Sequence, residues 1–171
     1  TTSTDDDFKA HLQDYIDVHS VINTMLFGTM SQMWDSMTKS SILLTWNDGQ
    51  YFYNIPYDLD STWNLFWNGS KLTDDDPSGG WGDDFGMLNN SFNTLWNRVY
   101  KLFLPEVKEQ YLKLRSSVWS TANIISDYKN FIDEIPESVY EKDHAKWSNI
   151  PSLKITDFDQ IQSDIIQRTH K

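Results

Sequence analysis

The sequence predicts a mainly α-helical domain interrupted by one short antiparallel β-hairpin. Two patterns carry that expectation. Apolar residues recur at three- and four-residue steps through most of the chain, and one central stretch of branched and aromatic residues brackets an Asn-Asp-Gly turn. Its 171 residues suffice to close one hydrophobic core, and 39% hydrophobic with 15% aromatic residues is too apolar for a disordered acidic chain. One domain over residues 1–171 is therefore expected.

The elements follow in order. Phe8, Leu12, Tyr15, Ile16, His19, Ile22, Met25 and Leu26 mark an amphipathic helix over about 8–27. Asp5 to Asp7 suit its N-terminus, where carboxylates meet the positive end of the helix dipole, and Gly28 is the expected stop. Ser41-Ile-Leu-Leu-Thr-Trp46 and Tyr51-Phe-Tyr-Asn-Ile55 read as two strands around the Asn47-Asp48-Gly49 turn. Pro56 ends the second strand, and 57–67 shows neither alternation nor a helical stripe. Residues 68–88, rich in Gly, Asp and Ser, read as a flexible acidic surface loop rather than a calcium site, because an EF-hand's ligand spacing is missing.

Helical periodicity then returns. Phe92, Leu95, Trp96, Val99, Leu102 and Phe103 form one stripe. Pro105 opens a helix that carries Val107, Tyr111, Leu114 and Val118 toward the core. A further helix is expected over about 121–135, with Ile124, Ile125, Tyr128, Phe131, Ile132 and Ile135 apolar. Pro136 restarts a short turn around Val139 and Tyr140, and a last helix spans about 156–169. The aromatic cluster that includes Trp46, Tyr51, Tyr53 and Trp63 reads first as packing around the hairpin, with Trp67 and Trp81 the exposed members.

Charge and composition exclude several functions. Fourteen Lys plus Arg against 25 Asp plus Glu leave a formal net charge of -11, which repels nucleic acid and anionic membranes. No apolar run approaches the ~20 residues of a membrane-spanning helix, so no membrane insertion is expected. There is no cysteine for a thiolate nucleophile or a Cys-type zinc site. The four histidines are scattered, and no Gly-x-Ser-x-Gly elbow occurs.

A sharper reading comes from the first third of the chain. Asp17-Val-His-Ser-Val-Ile22, Asp35, the hairpin and Ile55-Pro-Tyr-Asp-Leu-Asp-Ser-Thr-Trp63 resemble the second half of the CotH kinase family, an atypical protein kinase. Leu95-Trp-Asn-Arg-Val-Tyr-Lys-Leu-Phe103, Tyr111-Leu-Lys-Leu-Arg115 and Phe131-Ile-Asp-Glu-Ile-Pro136 resemble the helical tail of CotH-like domains in phage tail and prophage proteins of Gram-positive bacteria. The resemblance implies a kinase-type C-terminal lobe. It places the catalytic-loop aspartate at Asp35 and magnesium ligands at Asp58 and Asp60, with Mg2+ and ATP as the cofactors. Phosphoryl transfer needs such a division, one carboxylate to orient the acceptor hydroxyl and others to hold the metal on the phosphates. On the bare residues, Asp58 and Asp60 read equally as turn caps, and Asp35 as a solvated or helix-capping aspartate.

Two departures weigh against catalysis. Five residues after Asp35, where kinases carry a metal-binding Asn, stands Ser40, a weaker magnesium ligand. The family's nucleotide-gripping N-terminal lobe has no counterpart in these residues. The favoured expectation is a non-catalytic structural or binding module derived from a CotH-like lobe. It would sit on a phage virion or bacterial cell surface, packed against other protein chains or a surface glycan. The alternative is the catalytic half of a kinase that phosphorylates a hydroxyl acceptor with Mg-ATP.

Overall fold

The computed structural model describes residues 3–33, 36–37, 40–46, 48–59, 62–63, 94–148 and 158–169. Among them are seven α-helices and one two-stranded antiparallel sheet, the mainly helical class with one hairpin that the sequence predicts, though with two more helices than it marks. The 68–88 loop, Trp67 and Trp81 lie outside these residues.

The first expected helix is in fact two. Helix α1 spans Asp5–His11, capped by the Thr4 hydroxyl, which accepts from the Asp7 N–H at 3.1 Å. A single 3-10 turn follows over Leu12–Asp14, and helix α2 spans Val18–Ser31. The break has a local cause. Ile16 is extended and bridges Phe52, with Asp17 N–H donating to Phe52 C=O and Phe52 N–H donating to Tyr15 C=O. Asp17 then restarts the helix by accepting from Ser20 N–H at 2.6 Å. Tyr15 consequently points outward, 67% exposed, instead of joining the stripe.

Gly28 does not stop α2. It lies inside the helix because a Cβ there would come 2.3 Å from Met37 Sδ and 2.8 Å from Met37 Cγ. The helix ends at Gln32, whose left-handed backbone (φ 58°) lets its N–H and that of Met33 both reach the Gly28 carbonyl.

Strands β1 (Ser41–Leu44) and β2 (Tyr53–Pro56) pair in the register Ile42 to Ile55 and Leu44 to Tyr53. Asp48 and Gly49 turn the chain with positive φ, as the Asp-Gly dipeptide favours. The sheet docks through β2. Asn54 is buried, its N–H donates to Ser20 Oγ, and its C=O accepts from Thr24 Oγ1.

Helix α3 (Thr94–Leu102) and helix α4 (Leu104–Arg115) meet at Phe103, with Pro105 in the first turn of α4. Helix α4 ends at Arg115, so Val118 falls in the following turn, 60% exposed, and not in the core. Helix α5 (Thr121–Asp133) is capped by Ser120 and buries Ile124. Phe131, one of the apolar residues marked in this helix, is 64% exposed.

The region after Pro136 is a full helix, α6 (Glu137–Lys146), rather than a short turn. It buries none of its residues, so its sequence carries no apolar stripe. Acidic Glu137 in its first turn and His144 and Lys146 in its last suit the helix dipole. Helix α7 spans Phe158–Thr169.

Two apolar clusters form the interior. The larger joins Val21, Ile22, Met25 and Leu26 of α2 to Trp96, Val99, Phe103 and Val107. The smaller packs Met30, Trp63, Ile124 and Ile165. Trp63 lies here, away from the hairpin, and its indole N–H donates to the Tyr128 hydroxyl. All three arginines hold structure. Arg98 grips Ser3, Thr4 and Asp5 and stacks on Phe8. Arg115 donates to the Thr169 carbonyl at 2.7 Å. Arg168, 1% exposed, donates to the Thr29 and Met30 carbonyls at 2.7 and 3.1 Å.

Arg168→Met is expected to cost about 3 kcal/mol, because two buried carbonyls lose a charged donor. For a chain of this size that lowers the melting temperature by about 6–12 °C. A loss below about 1 kcal/mol in a denaturant titration would contradict this role.

Burial raises the Tyr128 pKa above its ordinary value, and the Trp63 N–H only partly offsets it. The protonated phenol is therefore the form the fold prefers. Its contribution is fully present below about pH 10 and lost as pH rises through the raised value. Melting temperature should fall more steeply above pH 10 in the wild type than in Tyr128→Phe, and equal slopes would refute the assignment.

Candidate functional site

The loop after β2 and the segment after α2 meet at a single hydroxyl. Ser36, which follows Asp35 in sequence, is 1% exposed, and its Oγ lies 2.5 Å from the Tyr57 carbonyl and 2.7 Å from the Asp58 carbonyl. One proton is shared between the two acceptors, a three-centre bond that fixes the backbone at 57–58.

The Ser36 side of this junction is itself clamped. Met37 N–H donates to the Met33 carbonyl, and Trp96 Nε1 donates to the Met37 carbonyl at 2.8 Å. The Met37 side chain fills the space left by Gly28. Helices α2 and α3 thus grip the segment next to Asp35 from two sides.

On the other side, Asp58 takes a left-handed backbone, φ 61°. For a residue with a Cβ this costs roughly 1–2 kcal/mol, less for Asp than for most, and it persists only where the surroundings impose it. Ser36 on Asp58 and the bond from Trp63 N–H to the Ser31 carbonyl at 2.6 Å anchor the segment at both ends. Trp63 is also left-handed, φ 51°. The Asp58 residue is exposed, and its carboxylate meets no ion-pair or hydrogen-bond partner among the described residues.

Of the other residues singled out by sequence, Asp35 and Asp60 lie outside the described residues. Ser40 is half-buried, immediately before β1. Among the described residues no three His, Cys, Asp or Glu side chains converge as a ready metal cage. A hard divalent cation is bound by oxygen ligands and often by only one or two carboxylates, so an exposed carboxylate on a pinned backbone fits such a ligand.

A family model described as CotH kinase protein matches residues 1–170, spanning α1 through α7 and both sides of the Ser36 bridge. The chain belongs to the CotH kinase family. No curated protein and no solved structure matches it. In this CotH-family chain, sequence reading found Asp58 through the Pro-Tyr-Asp-Leu-Asp run but passed over Ser36. A serine in a Ser- and Thr-rich stretch carries no signal until its acceptor carbonyls, over twenty residues away, are known.

The left-handed backbone at Asp58 is expected to order substitutions by their tolerance of positive φ. Asp58→Gly should be more stable than Asp58→Ala by about 1 kcal/mol, with the wild type between them. Chemical denaturation of the three proteins checks this, and an alanine variant as stable as the glycine one would remove the strain argument.

Proposed function

We propose that this CotH-family lobe binds a magnesium-nucleotide phosphate through Asp58 and serves phosphoryl transfer to a hydroxyl acceptor. The observation that carries the reading is the exposed Asp58 carboxylate, which meets no partner among the described residues, on a left-handed backbone held by Ser36. Stability alone would not select that conformation, whereas a metal-binding role would.

Asp58 would hold the metal, with Asp60 as a second ligand. Asp35, adjacent to the clamped Ser36, would orient the acceptor hydroxyl and take its proton. A bound magnesium ion neutralises phosphate charge in such sites. The three arginines hold structure elsewhere, so guanidinium groups would not grip the phosphates here. Ser40 in place of the customary Asn implies weak binding of any second metal.

A second reading has its own support. The outer face of the hairpin leaves Ile42 40%, Leu44 47% and Trp46 72% exposed, and the Trp46 ring stacks on Tyr53 at 4.5 Å. Uncovered apolar sheet faces commonly dock other chains, and stacked aromatic rings suit sugars. On this reading the lobe is a structural or binding module of a larger assembly, on a phage virion or bacterial surface.

Thermal unfolding with and without millimolar Mg-ATP separates the two. A ligand at 100 times its dissociation constant adds about 2.7 kcal/mol of stability. The expected result is a magnesium-dependent rise in melting temperature that Asp58→Asn abolishes and Ser40→Asn enlarges. No rise in the wild type would discard the nucleotide reading in favour of the binding module.

A further inference from the structure

Helix α6 stands off from the rest of the lobe. It buries no residue, yet the two of its residues that are half-buried, Tyr140 and His144, sit on the same face as Glu137 and Glu141. That spacing of three, four and seven residues is one side of a helix. Helix α5 and the turn after it present a matching stripe at the same spacing, Tyr128, Phe131, Ile132 and Ile135. Between the stripes lies a groove of about 770 Å³, also lined by Ile161 of α7.

The two walls differ in chemistry. The α5 wall is apolar, with Phe131 64% exposed at the lip. The α6 wall is acidic. Asp133 at the rim is paired with Lys129, but Glu137 and Glu141 meet no ion-pair or hydrogen-bond partner among the described residues. No lysine or arginine is among the described residues that line the groove. An occupant that satisfies both walls must be apolar on one side and cationic on the other.

We propose that this groove docks a basic amphipathic helix from a partner protein. The helix would place apolar side chains at i, i+3, i+4 and i+7 against Phe131, Ile132 and Tyr140. Its Lys or Arg residues would lie along Glu137 and Glu141. Two helical faces flanking one gap offer the ridges and grooves into which a third helix packs, the common helix-in-groove mode of recognition. The net charge of -11 adds long-range attraction for such a partner and repels an acidic one or a second copy of the chain. Tyr128 lines the groove and also bonds Trp63 of the Asp58 segment, but the proposal does not rest on the function proposed there.

The test uses the full chain and two labelled helical peptides of about 15 residues. Both carry leucine at the four anchor positions; one carries lysine and the other glutamate on the flanks. Fluorescence anisotropy should show saturable one-to-one binding of the lysine peptide and at least tenfold weaker binding of the glutamate peptide. Affinity should weaken several-fold as salt rises from about 50 to 500 mM, because the rim charges are exposed. The double variant Glu137→Lys, Glu141→Lys should reverse the preference. Tyr140→Ala should weaken binding of both peptides. These positions are exposed or half-buried, so circular dichroism should report an unchanged fold. Equal binding of the two peptides, no binding of either, or indifference to the double variant would overturn the proposal. Concentration-dependent self-association of the unliganded chain that Tyr140→Ala abolishes would overturn it too, by naming a second copy as the occupant.

Discussion

The C-terminal end of α2 is the constraint on which the rest of the lobe depends. A helix leaves its last four carbonyls without partners inside the helix, and burying that end requires outside donors. Here the donors come from the residues just past the helix and from two distant parts of the chain. Gln32 and Met33 reach back to Gly28, Arg168 of α7 reaches Thr29 and Met30, and the backbone of Trp63 reaches Ser31. Satisfying one helix end therefore fixes the departure of the segment beside Asp35, the landing of the loop beyond Asp58, and the seat of the last helix. In this CotH-family chain the junction beside Asp58 is organised by backbone hydrogen bonding.

How much of this was legible in the sequence depends on the kind of signal. The hairpin was, because Asp48-Gly49 and the flanking branched residues encode a turn and its register locally. Helices α3, α5 and α7 were, because their apolar stripes are local too. Helix α6 was not. It stands against an open groove, buries nothing, and so has no stripe. Gly28 misled for a related reason. A glycine near a helix end looks like a stop, and only the position of Met37 reveals that it is there to let two segments touch. The break at Ile16 was hidden because its cause, the pairing with Phe52, lies 36 residues downstream.

The candidate site divides along the same line. The Asp-x-Asp run after a strand marked Asp58, and the family match is consistent with the resemblance read from those residues. The strain at Asp58, the hydroxyl that imposes it and the structural use of every arginine are three-dimensional facts with no local signature. Arg168 is instructive. Nothing in its local sequence marks it as interior, yet it is among the most buried side chains of the described residues.

The reach of Arg168 also bears on the order in which the lobe is built. Its bonds to Met30 and Thr29 span 138 and 139 residues of chain. At ribosomal rates of about 5–20 residues per second, residue 168 is added roughly 7–30 s after the α2 end has been made. Throughout that interval the carbonyls that Arg168 will cover are open to water, and the second apolar cluster lacks Ile165. The Arg168 bonds and the Ile165 packing can form only once those residues have been made, so the α2 end is completed by the last helix.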